Sequence, residues 1–113
     1  MKSKLLALSK NEDFKTLLKS KKTSNKYVTI FFGLLKNKNK NNLNISFVTK
    51  KKIGNAVKRN KIKRRLRNIM NDLCKKISIN FNYSYLVIAK STMLNNDFKK
   101  IKETLFLEFK KIR

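Results

Sequence analysis

Between residues 14 and 71 the chain carries 18 lysine or arginine residues and no aspartate or glutamate. None of those cations can be neutralised from within the stretch, and burying an unpaired charge is very costly. Every element in it must therefore hold its cations on a solvent face and reserve a separate apolar stripe for the core. The six carboxylates, Glu12, Asp13, Asp72, Asp97, Glu103 and Glu108, all lie outside it. A net charge of +24 over 113 residues opposes compaction by self-repulsion. Against that stand 41% apolar residues, among them eight Phe and three Tyr. They suffice for a modest core in one domain, residues 1–113.

Hydrophobic periodicity divides the chain into elements. Residues 9–18 read as a short helix, with Ser9 and Glu12 spaced as a capping box and Phe14, Leu17 and Leu18 on one face. Residues 19–26 are polar and suit a loop or a short edge strand. Residues 27–35 are β-branched and aromatic, as in a strand buried on both sides. Residues 36–42 are only Lys and Asn, a solvated connection. In residues 43–49, Leu43, Ile45 and Phe47 alternate with Asn44 and Ser46, which predicts a second strand in hairpin register with the first. Ile62, Leu66, Ile69, Met70, Leu73 and Ile77 then recur at helical spacing and predict an amphipathic helix over 56–77. Residues 83–89 form a third strand. Asn95 or Asn96 with Asp97 opens a last helix, whose apolar face is Phe98, Ile101, Leu105, Phe109 and Ile112. The order α-β-β-α-β-α, with room for one more short strand, predicts a small α+β sandwich.

Cys74 is the one cysteine, which excludes an internal disulfide and suits a reducing compartment. No apolar run reaches the length of a signal-peptide core or of a membrane span, so a cytoplasmic protein is expected.

The charge is densest from Lys50 to Arg67, where ten of eighteen residues are cationic; four of the five arginines, Arg59, Arg64, Arg65 and Arg67, fall there within nine residues. Clustered guanidinium groups suit bidentate phosphate recognition. Asn55 is placed to cap the long helix, and Gly54 before it is free to take a positive φ. The first turns then carry Lys58, Arg59, Lys61, Lys63, Arg64 and Arg65. That opposes the helix dipole by about 0.3–1 kcal/mol for each cation. A bound anion reverses the sign of the effect. Arg59, Lys63 and Arg67 share one stripe, with Asn60 and Arg64 on the next. Neighbours on a stripe are about 6 Å apart, inside a Debye length of about 8 Å, so they act jointly on a polyanion. DNA is the competing polyanion. A helix equipped mainly for phosphates, however, positions without reading bases, which favours folded RNA.

There is no histidine. The acids cluster at helix starts or scatter along the last helix, where capping and solubility account for them. No catalytic residue and no metal-ligand set is therefore expected in the protein. Cys74 lies beside the apolar stripe as a small packing residue. An anionic membrane surface is disfavoured as partner, because the amphipathic helix is committed to a core.

The run Lys51-Lys-Ile-Gly-Asn-Ala-Val-Lys-Arg-Asn-Lys-Ile-Lys-Arg-Arg-Leu-Arg67 resembles the signature of the bacterial ribonuclease P protein family. The likeness continues through Leu8-Ser-Lys-Asn-Glu-Asp-Phe14, the central strands, Tyr85-Leu-Val-Ile-Ala-Lys90 and the closing helix. The resemblance implies an α/β sandwich with a left-handed βαβ crossover. It also implies that a catalytic RNA subunit, using Mg2+, removes the 5′ leader of precursor tRNA. The protein, monomeric by itself, then binds that RNA and holds the leader between the first helix and the sheet. Carried over by position, the catalytic-RNA set is Lys52, Asn55, Arg59, Asn60, Lys63, Arg64 and Arg67. The leader set is Phe14, Leu18, Tyr27, Ile30, Lys51 and Lys90. The chain departs from the family pattern at Leu18 and Ile30, where aromatics are common. It departs also at Asn44, Ser46, Lys50 and Asn68, where Arg, Gly, Ser and Glu are frequent. The alternative is a ribosomal-type or RNA-chaperone protein that binds structured RNA without a role in cleavage.

Overall fold

A computed structural model describes residues 5–8, 11–35, 42–77, 79–80, 82–94 and 97–112. The elements are β1 (Leu5–Leu6), α1 (Asn11–Leu18), β2 (Lys21–Ser24), β3 (Val28–Gly33), β4 (Leu43–Thr49), α2 (Ala56–Lys76), β5 (Ser84–Ala89) and α3 (Phe98–Lys110). Single 3-10 turns precede α2 at Lys51–Ile53 and α3 at Ser91–Met93. The expected mixed α+β architecture is present. The polar segment after α1 is the edge strand β2, and Leu5–Leu6 adds a two-residue strand at the other edge. Ser9, residues 36–41, Asn95 and Asn96, which carry the expected capping box, connection and helix start, lie outside the described residues. Asp97 caps α3, accepting from the Lys99 N–H at 3.1 Å.

The sheet order is β1-β4-β5-β3-β2. The hairpin expected between β3 and β4 does not form. β5 lies between them, antiparallel to β3 and parallel to β4, with Phe31 opposite Leu86 and Leu86 opposite Ser46. Two physical reasons account for this. The nine residues joining β3 to β4 exceed the two to five of common hairpin loops. And β5, Ser-Tyr-Leu-Val-Ile-Ala, carries no charge on either face, so it belongs at the centre. Alternation reveals which faces a strand offers, and not its neighbour. β4, α2 and β5 thus form the parallel βαβ unit in which the resemblance places the crossover.

Strand alternation sorts the two faces. Val28, Ile30, Ile45, Tyr85 and Val87 face α2 and α3 and pack with Ile62, Leu66, Ile69, Met70, Leu73, Ile101, Leu105 and Phe109. Burying one such aliphatic side chain is worth about 1.5–3 kcal/mol. Tyr85 sits among them with its ring 5.7 Å from that of Phe109, and its hydroxyl donates to the Asn80 carbonyl at 2.8 Å. Burial pushes the Tyr85 phenol well above its ordinary pKa, so it stays neutral. On the opposite face lies α1. A Cβ added to Gly33 would come within 2.7 Å of the Ser20 hydroxyl oxygen and 3.7 Å of Leu17, so glycine lets the end of α1 press onto β3. Leu17 and Leu86, both buried, form the core of this second face.

Candidate nucleic-acid interface

Asn55 caps α2 as expected, its side-chain oxygen accepting from the Lys58 N–H at 3.0 Å. Gly54 has a positive φ of 159° with ψ −167°, a nearly extended backbone and not a left-handed turn. At about 100° per residue, Arg59 falls close to the buried stripe, Lys63 on its flank, and Asn60, Arg64 and Arg67 turn outward. The exposure follows: Arg59 and Lys63 are half-buried, whereas Asn60, Arg64 and Arg67 are exposed. The Arg59 Nε is buried without a hydrogen-bond partner among the described residues. A second basic flank, Lys58, Lys61 and Arg65, borders a small groove of about 160 Å³ with Met93 and Leu94. The one ion pair among the described residues, Lys102 with Asp72, uses no cation of this region. Among the described residues, no carboxylate within hydrogen-bonding reach therefore offsets the positive field over the N-terminal half of α2.

Two further grooves adjoin α2. The first runs along the β4 edge, left open because β1 pairs only with Leu43 and Asn44. It encloses about 370 Å³ and is lined by Leu5, Ala7, Phe14, Ile45, Ser46, Phe47, Val48 and Arg67. The second, about 570 Å³, opens where β4 and β5 end, between Lys50, Lys52 and Lys90 and the hydroxyls of Thr29, Ser91 and Thr92. Lys90 is anchored there, its Nζ donating to the Ser24 Oγ at 2.9 Å and the Asn25 carbonyl at 2.6 Å. That links the end of β5 to the β2–β3 turn.

The two residue sets carried over from the resemblance therefore interleave in space. Arg67, expected with the catalytic-RNA residues, shares its groove with Phe14. Lys52 shares a groove with Lys90, while Lys51 is exposed on the same 3-10 turn. Leu18 is 49% exposed at the end of α1. Two expected leader residues do not reach a cleft. Ile30 is fully buried and Tyr27 is 4% exposed, both within the core on the α2 side. For Ile30 the reason is the two-residue period of β3: Phe31 and Gly33 share the α1 face, so Ile30 must point away, while Tyr27 precedes the strand and joins the same core cluster. Half-buried Thr29, Phe31, Val48 and Ile88 occupy the α1 face instead. Sequence reasoning passed over them; Gly33, where α1 lands, was the signal that fixes the face.

Fold and charge together define a class: a small cationic α+β protein whose longest helix carries an unneutralised basic N-terminal half beside an aromatic-lined groove. Comparison with known proteins makes this particular. The ribonuclease P family matches residues 2–113. The chain is 36% identical over 99 residues to the ribonuclease P protein component of Listeria monocytogenes, covering 87% of this chain and 80% of the relative. It is 31% identical over 105 residues to that of Bacillus cereus, covering 92% and 88%. Among solved structures, the RNase P protein from Thermotoga maritima superposes with a TM-score of 0.80 at 25% identity, covering 96% and 98%. The Staphylococcus aureus RNase P protein superposes at 0.69 and 29% identity, covering 94% and 93%. The chain belongs to the ribonuclease P protein family, and is thus a protein component of an endoribonuclease of tRNA processing.

Proposed function

We propose that this chain binds the catalytic RNA of ribonuclease P through the N-terminal half of α2 and engages the 5′ leader of precursor tRNA beside it. The observation that carries the reading is Arg59. Its Nε, buried and without a hydrogen-bond partner among the described residues, lies at the foot of a basic stripe that no carboxylate among those residues pairs with. The enclosed Nε is out of reach of an external group, but the half-buried residue is partly open to solvent, and a phosphate pairing there neutralises the stripe. The stripe leads through Lys63 to Arg67, where a groove with Phe14 can take single-stranded RNA by stacking on the ring and pairing with the backbone. Lys52 and Lys90 continue the positive path at the far end of the sheet.

Chemistry belongs to the RNA in this reading. Among the described residues no three of His, Cys, Asp and Glu lie together. The ions are assigned to the RNA subunit, where they supply the hydrolytic chemistry. The protein contributes positioning and charge compensation as a monomer in the cytoplasm. Affinity for precursor and mature tRNA, measured with the assembled holoenzyme, tests this. The protein should tighten precursor over mature tRNA, and equal affinity for both would leave an RNA-chaperone role.

A further inference from the structure

We infer that the outer face of α3 is a second RNA-contact site, which stacks a base of a single-stranded segment on Phe106. The site lies about 25 Å along the α2 axis from Arg59, near the other end of that helix. There a groove of about 460 Å³ is lined by Lys76, Lys99, Lys102, Glu103, Phe106 and Leu107. Its floor is apolar: Phe106 is half-buried and Leu107 is 62% exposed. Core packing explains Ile101, Leu105 and Phe109 on the inner side of α3 and leaves Leu107 unexplained.

The cations choose the occupant. The ammonium of Lys76 lies 6.0 Å from the Phe106 ring centroid, and that of Lys102 lies 5.9 Å from it. Two like charges drawn to one ring repel each other, and the single carboxylate Asp72 serves both, hydrogen-bonded to Lys102 and acting on Lys76 only through space. A phosphate between the lysines relieves the repulsion. Once they move to it, the ring is open to a nucleobase, whose π-face stacks on phenylalanine irrespective of sequence. A single RNA strand supplies phosphate and base together. An acidic peptide supplies the charge without the stacking surface. A membrane would need more inserted apolar area than one exposed leucine gives.

The inference takes RNA as occupant from the function proposed above, but the two fail separately. The test irradiates the full-length chain with a 5-iodouridine-containing single-stranded RNA decamer and maps the cross-linked residue. The β4-edge groove also accepts single strands, so the position of the cross-link is the primary readout. A cross-link at Phe106 is expected, absent in Phe106→Leu. Decamer affinity should fall roughly 5- to 10-fold with that variant. Catalytic-RNA binding should change less than about 2-fold, because its main contacts lie elsewhere. The double variant Lys76→Gln/Lys99→Gln touches no core contact and should weaken the decamer as well, which guards against a folding defect in Phe106→Leu. No cross-link at Phe106, or unchanged affinity in both variants, overturns the site. Tighter binding of a polyglutamate peptide than of the decamer, lost in Phe106→Leu, would reassign it to an acidic protein. Wild-type protein that ignores catalytic RNA would count against the function above and not against this groove.

Discussion

Ile30 and Phe14 differ in what their rings or branches can touch, and substitution separates the two roles. Ile30→Val removes one buried methylene and should cost about 0.5–1.5 kcal/mol of stability. Leader preference should not change, because the side chain is fully enclosed on the α2 face. Denaturant titration and precursor-over-mature tRNA affinity check both halves. Phe14→Ala should reduce that preference about tenfold, a value in the lower part of the range for one lost stacked base. Arg67→Ala should reduce it too, since Arg67 lines the same groove. Loss of catalytic-RNA affinity alone in Arg67→Ala would return that residue to the helix stripe. At Asp72, the Lys102 hydrogen bond holds the carboxyl below its ordinary value of 3.8 despite some desolvation. A depressed folded-state pKa stabilises the fold above the unfolded value, and the contribution fades as pH falls through the folded one. The stability difference between wild type and Asp72→Asn should therefore be constant from pH 5 to 7 and shrink only below about pH 4. The pair is solvent-accessible, so the difference itself is small.

Helix α2 couples the fold to the interface, and its first turn is where the two meet. Asn55→Ala removes the cap and should destabilise the protein by about 0.5–2 kcal/mol in thermal or denaturant melts. A catalytic RNA phosphate near the same N–H groups should recover part of that loss, so the deficit should shrink when the RNA is bound. The elements were largely legible. The 3.6-residue recurrence from Ile62 to Ile77 gave the long helix to within a residue, and Asn55 announced its start. Sheet order was not legible, because Leu43, Ile45 and Phe47 state a face and not a partner. The uncharged Tyr85-Leu-Val-Ile-Ala run held the missing information, since it marks the central strand that separates β3 from β4. Residues 27–35 likewise do not state which face meets α1, so nothing in them opposed the carried-over placement of Ile30 in the cleft. Lys90 is expected from the resemblance as a leader contact, and only tertiary structure shows its ammonium tied to Ser24 and Asn25. The interleaving of Arg67 with Phe14 depends on how α2 crosses the β4 edge, a geometry no local spacing encodes.

At the scale of the whole molecule, the net charge of +24 sets both stability and binding. Screening should raise the melting temperature as sulfate or phosphate is added, since self-repulsion opposes the folded state. With about six phosphates engaged, log affinity for the catalytic RNA should fall with log salt at a slope of roughly −4 to −5. Arg59→Ala should make that slope shallower by about one, and a slope near zero in the wild type would mean that α2 is not at the interface. The central claim is a division of labour in which the protein positions and the RNA cleaves. The most direct measurement is precursor-tRNA cleavage at low magnesium with the protein alone, the catalytic RNA alone, and both together. Cleavage confined to the mixture is the predicted result, and cleavage by the protein without RNA would contradict the account.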